Sequence, residues 1–273
     1  MIQRIILALT AAAAALVALL WAGLKGRAKP FPPYPESTPT IRTIPLPADL
    51  PEPVKRYYRA TIGEEIPVIE TAVITLSGRL RFKGITFPAR MRFTHEAGRS
   101  YRHYLEALVF NYPLLRVNES YLDGHSRLEL PFGVVENQPK IDLAANMGLW
   151  GESFWLPTIF VTDPRVRWEA IDATHARVIV PCADGSTDSL TLTFDPMTGL
   201  LAQAETMRWR DAADTEKQPW QIAPQGWQTF HGIKIPSPGA VTWADEGTPW
   251  LVASVDDVAY NVDLSTYLRG RGV

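Results

Sequence analysis

Twenty consecutive residues near the start of the chain, Ile5 to Leu24, carry no charge. As a helix rising about 1.5 Å per residue they would span roughly 30 Å, the thickness of a bilayer's hydrocarbon core. Arg4 closes one end. Lys25, Arg27 and Lys29 close the other, and Trp21 sits where an interfacial aromatic belongs. The expectation is a single-pass membrane anchor over residues 1–27, with Ile5–Leu24 in the lipid. A cleaved signal peptide is the competing reading. It usually has a shorter apolar core, about 7–15 residues, and an A-x-A-like site, whereas the small residues here (Ala22, Gly23, Gly26, Ala28) lie among cations. Flanking charge slightly favours a cytoplasmic body; single N-terminal anchors usually export the domain behind them. The body is placed on the extracytoplasmic side.

From Pro30 to Pro53 there are nine prolines. Each fixes φ and removes a donor, so residues 28–48 are expected to form an extended, semi-rigid linker holding the body off the membrane. Residues 49–263 then form one β-rich domain, followed by a tail at 264–273. Hydrophobic content of 46% and charge of 21% describe an ordinary globular body, and a net charge of −2 offers no global reason to expect nucleic acid. The lone Cys182 excludes an internal disulfide and reads as a small buried residue.

Asp49-Leu50-Pro51-Glu52 has the form of a capping box, so a helix is expected from there to Gly63, with Val54, Tyr57, Tyr58 and Ile62 on its apolar side. After that the period becomes two. Strands are expected at Thr71–Leu76, Gly78–Lys83, Ala89–Thr94 and Ser100–Phe110, punctuated by Ser77-Gly78, Gly84, Ala97-Gly98 and Asp123-Gly124. Between Pro139 and Pro157 the pattern breaks. Ile141, Ala144, Ala145, Gly148 and Leu149 recur at helical spacing, which predicts a short helical insertion. Strands resume at Arg165–Asp172, His175–Pro181, Ser189–Phe194 and Leu200–Arg210, then around Gly226–Ile235, Ala240–Ala244 and Leu251–Tyr260. A long meander must bury one face. The fold class expected is mostly β: an antiparallel meander curled into a barrel or half-barrel, with the helical insertion, preceded by one transmembrane helix.

Several phrases occur in a telling order: Leu50-Pro51-Glu52-Pro53-Val54-Lys55-Arg56-Tyr57, Tyr121-Leu122-Asp123-Gly124, Phe154-Trp155-Leu156-Pro157-Thr158, Val166-Arg167-Trp168-Glu169, Phe194-Asp195 with Thr198-Gly199-Leu200, Gly232-Ile233-Lys234-Ile235-Pro236, and Val241-Thr242-Trp243. Together they resemble an uncharacterised prokaryotic family of domain-of-unknown-function proteins, many with N-terminal membrane segments. The family pattern commonly has phenylalanine where this chain has Leu156. The resemblance covers about Leu50 to Tyr260 and implies a domain, not a reaction. More distantly, the meander with helices and the Phe-Asp-x-x-Thr-Gly-Leu phrase look like the lipoprotein-carrier half-barrel, a resemblance that implies acyl chains held under a helical lid.

The chain carries few local signatures of chemistry. His95, His103, His125, His175 and His231 are scattered, none forms a helical i, i+4 pair with a glutamate, and the cysteine has no partner. No metal or cofactor is therefore assigned, although a site assembled from distant residues stays open. Gly151-Glu152-Ser153 begins like a nucleophile elbow but has Trp155 where the second glycine is needed. Asp256-Asp257 would point to opposite faces of a strand. No Gly-rich phosphate loop is present, and no catalytic residue is assigned.

Two features stand out. Between Arg79 and Arg102 there are seven cations and one acid, Glu96. Arg79, Arg81, Lys83, Arg90 and Arg92 would share one face if their strands pair, forming either the solvated side of a sheet or a platform for anions such as lipid headgroups. Eight of nine tryptophans lie between Trp150 and Trp250. Trp150, Phe154 and Trp155 crowd the insertion and are expected to form an apolar lid over a ligand cavity. The reading is a membrane-anchored domain that binds a lipid or another apolar or amphipathic ligand without catalysis. The alternatives are a protein-interaction module held off the membrane, or a hydrolase with a dispersed site.

Overall fold

The computed structural model describes residues 1–265 and 267–273, less the side chains of residues 2 and 8. Residue 266 of the C-terminal tail thus lies outside the described residues. The chain begins with α1 (Ile2–Lys25), then β1 (Thr43–Pro45), α2 (Glu52–Thr61) and β2 (Glu65–Pro67). A first run of strands comes next: β3 (Thr71–Phe82), β4 (Ile85–Glu96), β5 (Ser100–Val109), β6 (Tyr112–Leu122), β7 (His125–Leu130) and β8 (Gly133–Glu136). The insertion comprises α3 (Pro139–Glu152), a 3₁₀ turn (Ser153–Trp155) and α4 (Ile159–Thr162). The second run is β9 (Arg167–Ala170), β10 (His175–Pro181), β11 (Thr187–Phe194), β12 (Leu201–Arg208), β13 (Gln218–Pro224), β14 (Trp227–Phe230), β15 (Ile233–Pro236), β16 (Gly239–Trp243) and β17 (Leu251–Tyr260).

Among the described residues, thirteen strands form one antiparallel sheet in the order β8-β7-β6-β5-β4-β3-β17-β16-β13-β12-β11-β10-β9. Two meanders are thus joined where the last strand, β17, returns to β3 with Leu251 opposite Leu80 and Tyr260 opposite Ala72. The sheet stays open, with β8 and β9 as its edges. Its two ends nevertheless approach each other. A Cβ placed on Gly124, in the β6–β7 turn, would lie 2.6 Å from the Cβ of Ala183, in the β10–β11 turn. This is a half-barrel rather than a barrel, and α3 fills its mouth. Asp142 accepts from Ser126 at the β7 side, while Asn146 and Trp150 donate to the Pro181 carbonyl at the β10 side, at 3.1 and 3.2 Å.

The hydrophobic core lies between the sheet and the helices, with Tyr57, Tyr58, Ile74, Leu76, Met91, Trp150 and Phe194 among its buried residues. Residues Ala144 to Gly151 of α3 are all buried, so the helix is enclosed on every side rather than lying as an amphipathic cover. α2 forms where expected, but Pro51 occupies its N-cap and no side chain closes it, so the capping-box reading of Asp49 does not hold. Ser77-Gly78 is not a turn either. β3 runs through it, and Gly78 is required because β17 passes so close that any Cβ there would collide with the Val252 carbonyl. The single strand expected around Gly226–Ile235 is instead the hairpin β14–β15. It turns at His231 and Gly232, both with positive φ.

α1 is long and apolar enough to cross a membrane by length and composition. The Pro-rich segment after it does not stand clear of the body. Phe31 is buried, and its ring lies 5.7 Å from that of Tyr104, while β1 pairs with β2. Prolines keep this stretch extended, but its aromatics find the outer face of the sheet.

Candidate functional site

The inner face near the centre of the first meander is set by register. Phe93 opposes His103, His95 opposes Tyr101, and His103 opposes Glu119. Side chains alternate along a strand, so Phe93 and His95 of β4, Tyr101, His103 and Leu105 of β5, and Val117 and Glu119 of β6 share one side. Glu152, the last residue of α3, comes down onto this side. The helix approaches closely enough that a Cβ on Gly151 would strike the Trp220 ring at 2.6 Å.

Between this surface and the insertion lies a cavity of about 110 Å³. Phe154 and Trp155 of the 3₁₀ turn form one wall; Trp220, Val241 and Trp250 form another. His103, Glu119 and Glu152 supply its charged end. The indole N–H groups of Trp220 and Trp250 are buried without a hydrogen-bond partner, although both residues line the cavity. Buried donors are nearly always paired, so these two indoles are exceptions, both at the cavity. A larger hollow of about 680 Å³ beside Lys25 and Arg79 is a surface groove away from these buried charges, whereas another of about 270 Å³, between Arg102 and Arg271, also touches Glu119.

The charged end is built around Glu152. One of its carboxylate oxygens lies 2.8 Å from His103 Nε2 and 3.2 Å from His95 Nε2. His103 Nδ1 faces Glu119 at 3.8 Å, and Glu119 accepts from the Tyr101 hydroxyl at 2.6 Å. The His103 ring stacks on Phe93 and Tyr101, with centroids 3.9 and 4.1 Å away. Burial works against a charged imidazole at His103, but Glu152 and Glu119 outweigh it and lift this group to about 9. Burial pushes Glu152 up, while the two imidazoles pull it further down, to about 2. Glu119 is lowered in the same way by His103 and Tyr101 against its burial. His95 is lowered, because desolvation exceeds the pull of Glu152. Burial also lowers Arg208, which donates to the Ala144 carbonyl and packs over Trp220.

The insertion places Phe154 and Trp155 on the cavity, with Trp155 donating to the Pro236 carbonyl at 3.1 Å. Trp150 is fully buried but belongs to the core, where it packs on Phe160. The cation stripe has the expected register: Arg79 and Arg81 of β3 lie on the same side as Arg90 and Arg92 of β4. It is not an open platform. Arg79 donates to the Leu24 and Gly26 carbonyls at the end of α1, and Arg81 pairs with Glu246. Arg90 pairs with Glu106 at 2.7 Å, and Arg92 is buried and donates to the Pro32 carbonyl. Phe31 covers both Arg90 and Arg92. Lys83 alone of the five is exposed.

The fold brings His95, His103 and Glu152 together, a juxtaposition outside the sequence expectations. A signal for it existed. Counting back and forth from the Ala97-Gly98 turn puts His95 and His103 diagonally on one face, but the expected strand stopped at Thr94. Glu152 sits in a phrase whose likeness to a nucleophile elbow draws attention to Ser153 instead. Ser153 is fully buried and donates to the Leu149 carbonyl, so it offers no nucleophile. Cys182 is buried, and burial raises its thiol.

Solved structures similar to the chain include the following three. A DUF1329 family protein from Desulfovibrio piger shares 13% identity, over 72% of this chain and 88% of that one, with a TM-score of 0.42. A domain described as that of an outer membrane lipoprotein-sorting protein, from Vibrio parahaemolyticus, shares 10% over 79% and 92%, with a TM-score of 0.41. A LolA superfamily protein from Nitrosomonas europaea shares 9% over 77% and 93%, with a TM-score of 0.45. No curated protein matches the chain. The order of phrases from Leu50 onward finds its counterpart over residues 40–254, and the chain belongs to the family of unknown function DUF6544.

Proposed function

We propose that the protein binds an amphipathic ligand, of the lipid or fatty-acid class, in the cavity beneath the insertion. The observation that carries this reading is the cavity's composition. Phe93, Phe154, Trp155 and Val241 surround an apolar interior, and charged groups meet it at one end only. An apolar tail would lie against the aromatic wall and a polar head would meet His103, Glu152 and the unpaired indole donors.

The present volume of about 110 Å³ takes only a short apolar segment. An apolar cavity of about 150 Å³ holds a benzene ring, and drug-sized ligands use roughly 300–1,000 Å³. Uptake of a full acyl chain therefore requires the 3₁₀ turn to shift, with Phe154 and Trp155 acting as a lid. The apolar helix would tie this binding domain to a membrane as a single-pass anchor, with the body on the extracytoplasmic side, where its ligand is close at hand. Nothing in this reading requires nucleic acid or a reaction.

The test has two parts. Mass spectrometry of small molecules extracted with the full chain in mild detergent is expected to find an amphipathic species in stoichiometric amount. A photoactivatable fatty acid is expected to crosslink to peptides containing Phe93, Trp155 or Val241. Val241→Trp, which fills the cavity, should reduce crosslinking about tenfold, equivalent to about 1.4 kcal/mol. Crosslinks spread over the outer face, unaffected by this substitution, would refute the proposal.

A further inference from the structure

The charged end of the cavity contains a feature that ligand binding does not explain. His95 is completely buried, and neither of its ring nitrogens has a hydrogen-bond partner. His103 Nε2 and the Glu152 Oε2 it faces are also buried and unpartnered, although they lie only 2.8 Å apart. Both imidazoles thus stand at ion-pair distance from one Glu152 oxygen, yet without hydrogen-bond geometry, around a common point. Buried polar atoms without partners are rare, and one central ion would engage three of these four atoms, leaving only the second nitrogen of His95 unpaired.

We infer that His95, His103 and Glu152 form a binding site for a divalent first-row transition-metal ion. The three ligand atoms lie within 4.8 Å of one another. An ion about 2.0–2.1 Å from each nitrogen, with tetrahedral angles, separates its ligand atoms by roughly 3.3 Å. The observed separations of 2.8 and 3.2 Å from Glu152 are within a fraction of an ångström of this. Two imidazoles and one carboxylate suit zinc or iron(II), and exclude the hard, oxygen-seeking magnesium and calcium ions.

The surroundings also fit. Metal-bound imidazoles usually direct their second nitrogen at a carboxylate, and His103 Nδ1 faces Glu119, which Tyr101 in turn holds. The ligands come from β4, β5 and the C-terminal end of α3, so the ion would fasten the insertion to the sheet. Three protein ligands leave a coordination position unfilled. His103 and Glu152 also line the cavity, so water or an anionic head entering there could complete the coordination. The inference does not depend on the cavity holding a lipid, since a metal can bind whether or not a tail occupies the aromatic end.

The experiment uses the full chain in detergent, without a histidine tag, stripped by a chelator and then titrated with Co²⁺ alone. The expected result is a visible d–d absorption that saturates at one ion per chain and is displaced by Zn²⁺. His95→Ala and Glu152→Gln should abolish the band while leaving the far-ultraviolet circular dichroism unchanged. Glu119→Gln should weaken binding about 10–100-fold, as loss of an outer partner does. If either ligand variant fails to fold, X-ray absorption of the zinc-loaded wild-type chain decides the matter: two imidazoles and a carboxylate support the site, and any other ligand set overturns it. The proposal also fails if the wild-type chain takes up no stoichiometric Co²⁺, or if folded His95→Ala and Glu152→Gln variants keep it. In either case the three side chains are a metal-free ionic cluster. Loss of metal with normal fatty-acid crosslinking would break this inference alone, and normal metal binding without crosslinking would break the ligand reading alone.

Discussion

The chain holds two collections of charge, on opposite faces of the same strands, and they behave in opposite ways. On the outer face Arg79, Arg81, Arg90 and Arg92 are crowded in sequence, yet in the fold each is met by a carbonyl, a carboxylate or an aromatic ring. On the inner face His95, His103, Glu119 and Glu152 are scattered in sequence, yet converge in a buried space with several of their atoms unpaired. Local density of like charge therefore overstated one region and dispersion concealed the other. The reason is geometric. Neutralising partners such as Glu246 and the Pro32 carbonyl lie far away in the chain, and so does the helix end that delivers Glu152.

The largest effect expected is from Glu152→Ala. It removes a carboxylate between two buried imidazoles and leaves His103 with only Glu119, at 3.8 Å. Breaking a buried ion pair from one side costs about 3–5 kcal/mol. Chemical denaturation of the metal-free chain should show a loss of that order. A loss below about 1 kcal/mol would mean that the inner cluster is solvated after all.

The two tryptophans of the insertion sharpen the contrast within that face. Trp150 is packed on all sides, so Trp150→Ala should cost about 3–5 kcal/mol. Trp155 borders the cavity and packs on Phe93 at 5.9 Å, so its substitution removes fewer contacts. Trp155→Ala should destabilise by about 2–3 kcal/mol, below the filled-core range, and alter fatty-acid crosslinking. Equal costs for the two residues, with uptake unchanged, would identify Trp155 as core only.

The fold was legible wherever a local rule was enough. Period-two alternation located β10 and β17 at their observed limits, and the break after Pro139 located the insertion. What escaped was non-local. Gly78 resembles a turn residue until β17 is known to pass beside it. Proline content suggested a spacer, but Phe31 and Tyr34 turn that segment into a cover, because aromatic rings lie favourably over Arg90 and Arg92. The aromatic wall of the cavity was partly legible, since aromatic density marked Phe154 and Trp155. The charged end was not, since it needed both the register of the β4–β5 hairpin and the descent of α3.

On the outer face Arg92 should be the costly residue. It is buried, donates to the Pro32 carbonyl and is covered by Phe31 and Tyr34. Hydrogen bonds to charged groups contribute about 1.5–3 kcal/mol, so Arg92→Ala should lower stability by about that amount and loosen the Pro-rich segment, seen as faster amide exchange around residues 30–35. No change in exchange there would detach the segment from the sheet.

The smallest effect belongs to Arg81, and it decides whether the outer face retains any use for its charge. Arg81 pairs with Glu246 and donates to the Thr248 carbonyl at 3.1 Å. The pair is partly exposed, so Arg81→Ala should cost under about 1 kcal/mol, and less at high salt. Its charge is already offset, so the substitution should barely change the affinity of the body from residue 28 onward for anionic vesicles. Lys83 is different: among the described residues it has no ion pair, and only the rings of Phe82 and Phe132 lie beneath it. A basic residue near an anionic surface contributes about 1 kcal/mol, so Lys83→Ala should weaken co-sedimentation at low salt about fivefold. Equal losses from Arg81→Ala and Lys83→Ala would show that the Arg81 pair opens in solution, and the stripe would then act as the anion platform that its sequence suggests.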